Sequence, residues 1–225
     1  MGEYVHSVTL DTATCRGCIT CVKRCPTEAI RVRGGKARIL KERCIDCGEC
    51  IRVCPHHAKR AVTDHLAEME RYRYTIALPA PALYGQFNNL DDAEVVLAGL
   101  LEMGFDEVYE VAAAAELVSD ATRLLLSQGG LERPVISSAC PAVLRLIRVR
   151  FPELLDNVLP LVAPVELAAR DAKRQASRRL GIPASEIGCV FISPCPAKMT
   201  AAKNPLGTGR SDIDLVVSRS EESRV

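Results

Sequence analysis

The sequence carries no surplus of either charge. Its 225 residues hold 29 Lys plus Arg against 28 Asp plus Glu, a formal net charge of +1. Without a basic excess there is no electrostatic footprint for nucleic acid, and without a basic helix there is none for a membrane surface. Long apolar runs are missing as well. None approaches the roughly 20 residues that a membrane-spanning helix requires. The first residues, MGEYVHSVTLDTATC, lack the apolar core of a secretion signal, and Ser7 stands one place late for a myristoylation pattern on Gly2. These absences lead to the expectation of a soluble, cytoplasmic protein with neither nucleic acid nor membrane as partner. Two things are plentiful. Hydrophobic residues make up 48%, enough for a real core, and there are 11 cysteines. In a reducing compartment so many cysteines point to metal or redox chemistry rather than to disulfides.

Eight of them fall in an internal repeat. CRGCITCVKRCP (15–26) and CIDCGECIRVCP (44–55) both read C-x2-C-x2-C-x3-C-P, and Cys44 follows Cys15 by 29 residues. This is the signature of a two-cluster bacterial-type ferredoxin. Three cysteines at intervals of three wrap one cubane cluster, and the fourth, a helical turn later, faces the other. Cys15, Cys18, Cys21 and Cys54 are therefore expected to hold one 4Fe–4S cluster, and Cys44, Cys47, Cys50 and Cys25 the second. Pro26 and Pro55 fix the backbone after each crossing ligand. The alternatives are zinc and disulfides, but zinc sites use paired CxxC units rather than triplets with a trailing Cys-Pro. Ala29–Val32 and Ala37–Leu40, flanking Gly34-Gly35, read as a hairpin. His56 and His57 read as surface residues.

Beyond a charged, helical or linking stretch at 65–74, strand and helix patterns alternate. Strands are expected at Tyr74–Leu78, Glu107–Val111, Val135–Ser137, Cys189–Ile192 and Ile213–Val217. Helices are expected at Asp91–Met103, Ala113–Ser127, Ala142–Phe151, Pro164–Leu180 and from about Pro196. The expected architecture is an α+β two-cluster ferredoxin-like domain over 1–64, then an α/β domain with a mostly parallel sheet over 75–225. Within it, VISSACPAVLRLI (135–147) and VFISPCPAKMTAAK (190–203) share a plan: strand, short turn, Cys-Pro, helix. In a parallel sheet Cys140 and Cys195 would both emerge at the carboxyl ends of strands, where open α/β sheets bind ligands. Each would also start a helix, a setting that favours a thiolate. The turn Pro79-Ala80-Pro81 could border the same crevice, so Pro81 and Ser138 join the two cysteines as cofactor-pocket candidates. The competing reading is that free cysteines are simply buried. That reading suits Cys189, which no proline follows.

SSACP (137–141) and SPCPAKMTA (193–201) resemble the TSCCP and MPCxxKxxE motifs of the iron-only hydrogenases, as do FPELL (151–155), LGI (180–182) and the APA turn at 80–82. The resemblance covers essentially the whole chain. It implies the first part of that family's catalytic domain behind an accessory ferredoxin domain. The family's centre is a 4Fe–4S cube joined by a cysteine to a di-iron subcluster with CO and CN ligands. By that resemblance Cys140 and Cys195 are cube ligands, and Lys198 is the catalytic-site lysine that hydrogen-bonds a cyanide. The departures matter equally. Ala139 stands where the family has its proton-relaying cysteine, Ser193 where it has Met, and Ala201 where it has Glu. Relay glutamates are absent near AELVSDAT (115–122). These changes resemble the sensory branch. The third motif, with two further cysteines, is missing, so the expectation is a C-terminally truncated hydrogenase domain or one completed by a partner.

The reading is thus the N-terminal part of a sensory-type iron-only hydrogenase, conducting electrons through two 4Fe–4S clusters to or from a hydrogen-active site. Its partners would be a redox protein and either a signalling domain or the rest of the hydrogenase domain. The alternative is a non-catalytic electron carrier with a degenerate hydrogenase-like docking domain. A third reading, an iron–sulfur assembly protein of the same family, has no local feature that selects it.

Overall fold

The computed structural model describes residues 5–87, 92–207 and 209–218. In chain order its elements are β1 (Val8–Leu10), α1 (Thr20–Arg24), β2 (Ile30–Arg33), β3 (Lys36–Ile39), α2 (Glu49–Arg52), β4 (Lys59–Ala61), β5 (Tyr74–Pro79), α3 (Pro81–Tyr84), α4 (Glu94–Glu102), β6 (Glu107–Val108), α5 (Val111–Gln128), α6 (Pro141–Arg150), α7 (Pro164–Leu180), β7 (Ile187–Ile192), α8 (Pro196–Lys203) and β8 (Leu215–Val217). They gather into two units, each assembled from separated segments. The first takes Met1–Thr63, Glu132–Val158 and Cys195–Gly207, and the second takes Asp64–Leu131, Leu159–Pro194 and Thr208–Val225. Gly2, the expected helix start at Asp91 and all but Ser218 of the final SRSEESRV lie outside the described residues.

In the first unit the sequence repeat becomes a backbone repeat. Gly17 and Asp46, equivalent positions in the two copies, both take left-handed φ (70° and 51°), and so do Glu28 and His57 (53° and 50°). Gly17 has no freedom to carry a side chain, since a Cβ there would lie 2.3 Å from the Gly35 carbonyl oxygen. An Asp tolerates this conformation better than most residues because its short carboxylate bonds locally. Helix α1 ends at Cys25, whose extended backbone is what a following proline imposes. β2 and β3 form the expected antiparallel hairpin, Ile30 opposite Ile39. β1 pairs antiparallel with β4, Leu10 opposite Lys59. Helix α6 packs against α8 and against the 3₁₀ turn at Pro152–Asn157.

The second unit is a four-stranded parallel sheet in the order β6-β5-β7-β8. Its central strands are apolar along their length, as strands covered on both faces must be; every residue of β7 is buried. Ala77, Val190 and Leu215 face a core shared with Val96 and Leu100 of α4 and with Phe105. The alternate residue Cys189 points the other way, its Sγ 3.6 Å from the Ala169 carbonyl oxygen on α7. The charged stretch after the repeat forms a 3₁₀ turn at Leu66–Arg71, with Leu66 and Met69 packed against that same core. No helix among the described residues is long and apolar enough to cross a membrane.

Three expectations need correcting. Val135–Ser137 is not a strand of the sheet. It forms a single bridge, Ile136 to Val158, within the first unit. Pro134 has no amide hydrogen and a turn begins at Ser138, so only Ile136 can pair, its N–H reaching the Asn157 carbonyl at 2.8 Å. Cys140 therefore does not follow a sheet strand, whereas Cys195 does. β6 stops at Val108, because α5 already begins at Val111. β8 begins at Leu215, not Ile213.

Candidate metal centre

All eight repeat cysteines lie in the first unit. Cys15 and Cys21 are buried, Cys47 is exposed, and Cys18, Cys25, Cys44, Cys50 and Cys54 lie between; every cysteine is a free thiol. Their sulfurs are met by backbone donors. Ala37 N–H points to Cys15 Sγ (3.4 Å), Ala29 N–H to Cys25 Sγ (3.2 Å) and Ala58 N–H to Cys54 Sγ (3.3 Å). At Cys15 the Ala37 amide is the largest influence holding the thiol below its ordinary pKa, since a hydrogen bond to the sulfur favours its ionised form. Burial works in the opposite direction elsewhere. It pushes the Cys44 and Cys50 thiols up to about 12 and raises Cys21 and Cys47. Burial of these thiols opposes their ionised form, and metal ligation, by sharing the charge, is what offsets it.

An independent observation points the same way. Lys59 is 3% exposed, and its Nζ has no hydrogen-bond partner among the described residues. A buried ammonium without a partner needs anionic charge nearby. Beside it lies the sulfur-rich interior of Cys15, Cys21, Cys50 and Cys54 with Ile30, Ala37 and Ala58. An iron–sulfur cluster with four thiolate ligands carries net negative charge and fits that cradle.

A buried polar knot flanks the second cysteine triplet. Asp46 is fully buried and accepts hydrogen bonds from His6 Nδ1 (2.8 Å), from Val8 N–H (3.1 Å) and from Arg145 Nη1 (3.5 Å). Burial lowers the Arg145 pKa to about 10. His6, Cys44 and Asp46 present ligand atoms within 4.8 Å of one another. Cys44 belongs to the repeat, however, and its own Sγ points to Asp46 Oδ1 at 3.7 Å, so the carboxylate is already met by four donors. Sequence reading did not find this knot; its one trace was an Asp where the first copy has Gly17.

The two Cys-Pro units are built alike. Cys140 and Cys195 are the N-caps of α6 and α8, with extended backbones (φ −104°, ψ 107° and φ −90°, ψ 111°) and proline at the first helical position. Lys198, on the first turn of α8, donates from Nζ to the Ala139 carbonyl oxygen at 2.8 Å and so ties the second motif to the residue before Cys140. The base of α8 also meets the ferredoxin-like loops. Pro196 Cγ lies 3.0 Å from where a Cβ on Gly48 would sit, and Ser7 Oγ donates to the Pro196 carbonyl at 2.6 Å. Ser138, Cys140, Cys195 and Lys198 thus share the first unit with the eight repeat cysteines. Pro81 opens α3 after β5, and Ser193 directly follows β7, both in the second unit. Cys189 is sealed in the sheet, its thiol pushed up to about 12 by burial. His56 and His57 are exposed.

A cysteine-lined ferredoxin-like region combined with a parallel α/β sheet defines an iron–sulfur protein. Residues 73–224 match the family described as the iron-only hydrogenase large subunit, C-terminal domain, and residues 7–55 match a 4Fe-4S dicluster domain. The chain belongs to the iron-only hydrogenase large-subunit family. It is 27% identical to the periplasmic Fe hydrogenase large subunit of Nitratidesulfovibrio vulgaris, across 97% of this chain and 57% of that protein. It is 28% identical to the cytosolic Fe-S cluster assembly factor nar1 of Emericella nidulans, across 52% of this chain and 23% of that one. Its fold is similar to that of a variant of the FeFe hydrogenase HydA1 from Chlamydomonas reinhardtii, with a TM-score of 0.58 at 21% identity, covering 68% of this chain and 43% of the other. The chain spans between a quarter and little more than half of these curated relatives.

Proposed function

We propose that this chain is an electron-conducting part of a hydrogenase-type protein. Two 4Fe–4S clusters, one on Cys15, Cys18, Cys21 and Cys54 and the other on Cys44, Cys47, Cys50 and Cys25, pass electrons to or from a hydrogen-active site that includes Cys140 and Cys195. The observation that carries this reading is the pairing of Cys140 and Cys195 as matched helix N-caps, bridged by Lys198 to Ala139, within the same compact unit as the repeat cysteines. When bound, such clusters supply one-electron redox chemistry.

The residues of the chain do the rest. Cys140 and Cys195 stand as the N-caps of α6 and α8, each directly before a proline. Lys198 brings a compact cation to the same place, suited to an anionic ligand. Ala139 and Ala201 hold no titratable proton, so no side chain relays protons from those positions. That combination, a metal framework without the usual relay, favours a sensor over a rapid catalyst. Two cysteines are half of what a 4Fe–4S cube takes, and Cys189 is enclosed elsewhere. The remaining ligands therefore come from another polypeptide segment, and a redox protein and a signalling domain are the further partners of this reading.

The test is iron counting and EPR on the anaerobically loaded chain, alone and after supply of a hydrogenase-type centre by maturation. About eight irons per chain and no hydrogen turnover are expected for the chain alone. A further signal gained on maturation should vanish in Cys140→Ser and in Cys195→Ser. Vigorous hydrogen evolution by the isolated chain would contradict the sensory reading. A signal indifferent to both substitutions would favour a plain electron carrier with a docking domain.

A further inference from the structure

The two copies of the cysteine repeat share several local features. Left-handed backbones recur at equivalent positions, and Ala29 and Ala58 donate to the sulfurs of Cys25 and Cys54 at 3.2 and 3.3 Å. The next residue breaks the symmetry: it is Ile30 in the first copy and Lys59 in the second. Both are interior, at 2% and 3% exposed. Ile30 is an ordinary core residue. Lys59 is not, because no described residue bonds its Nζ, and a buried, unpartnered ammonium is among the least tolerated of groups. Lys59 directly follows Ala58, whose N–H bonds the Sγ of Cys54, and Ala58 packs in one interior with Cys15, Cys21 and Cys54, three of the ligands assigned to the cluster of Cys15, Cys18, Cys21 and Cys54.

We propose that Lys59 sets the reduction potential of the Cys15/Cys18/Cys21/Cys54 cluster above that of its twin, so that two pseudo-equivalent clusters become an ordered pair with a preferred resting place for the electron. This rests on the two-cluster reading above. The step is a one-electron transfer from a low-potential one-electron reductant. The cluster gains one negative charge, no bond forms or breaks, and no proton moves. The attraction of a fixed cation grows with the negative charge it faces, most strongly where water is excluded, so the reduced cluster gains more than the oxidised one. At the twin position Ile30 supplies no charge.

The test is an EPR-monitored potentiometric titration of the anaerobically loaded full chain, with dithionite as reductant. Wild type would be compared with Lys59→Ile, which restores the residue of the first copy, with Lys59→Met, which keeps the stem, and with Lys59→Arg, which keeps the charge. Two separated reduction waves are expected in wild type and in Lys59→Arg. In the neutral variants, with iron content unchanged, the reduced-to-oxidised ratio of the higher wave at fixed potential should fall about tenfold, about 59 mV for a one-electron couple. Neutral variants that are fully loaded and show both waves at their wild-type potentials would overturn the proposal. Failure of the wild-type chain to take up iron is a different result, and would remove the two-cluster reading on which it rests.

Discussion

At the residue scale, the chemistry depends on charges kept out of water. Asp46 illustrates how closely they are matched. Its carboxylate sits at the second cysteine triplet and accepts from His6, Val8 and Arg145, while Arg145 is itself buried. Removing one partner of a buried pair is far more damaging than its surface equivalent, because the other charge stays behind. Asp46→Ala should therefore destabilise the first unit by about 3–5 kcal/mol. Asp46→Asn, which keeps the shape and one acceptor oxygen, should cost less. Urea midpoints followed by far-UV circular dichroism would show the ordering, and equal loss in the two variants would mean that the charge is immaterial. Of this arrangement the sequence showed only the cysteines. His6, Asp46 and Arg145 are 40 and 99 residues apart along the chain, and no local pattern joins them.

At the scale of elements, local chemistry was a good guide wherever a residue dictates its own backbone. Proline at the first position of α6, α7 and α8 marked three helix starts, and the paired glycines 34 and 35 marked a hairpin. Gly17 is the sharpest case. It combines a left-handed φ with a Cβ position 2.3 Å from the Gly35 carbonyl oxygen, so the first cysteine loop and the hairpin turn can approach only because Gly17 has no side chain. Gly17→Ala should pry the two apart and lower the iron retained per chain after gel filtration, whereas Gly34→Ala, with open space around its Cβ position, should retain more of its iron. Local reading failed at Val135–Ser137. Three residues of strand-like composition do not make a strand unless a partner lies alongside, and the partner found there is the single residue Val158.

At the scale of the molecule, the two units have unlike cores. The second is filled by Leu, Phe, Val and Ile around a sheet. The interior of the first around the repeat is small and sulfurous, with Cys15, Cys21, Ile30, Ala37 and Ala58 at its centre. A core of that size leans on bound metal for stability. Stripping iron with an oxidant and a chelator should strip hydrogen-exchange protection from β1 to β4 while amides of β5 and β7 stay protected. Uniform loss across both units would show that the repeat region is not specifically metal-dependent.

The sequence by itself determined the cysteine repeat and with it an iron–sulfur protein, the parallel α/β character of the second unit, and the matched Cys-Pro helix starts. Each of these is written in spacing or in residues that constrain their own φ, and such signals are local. The tertiary structure decided what the chain neighbours could not. It gathered α6 and α8 into the unit of the cysteine loops, set Lys198 against Ala139, and buried Lys59. In the sequence that lysine is one of 29 basic residues. Its burial without a partner among the described residues, a property of packing, is what sets it apart from the others.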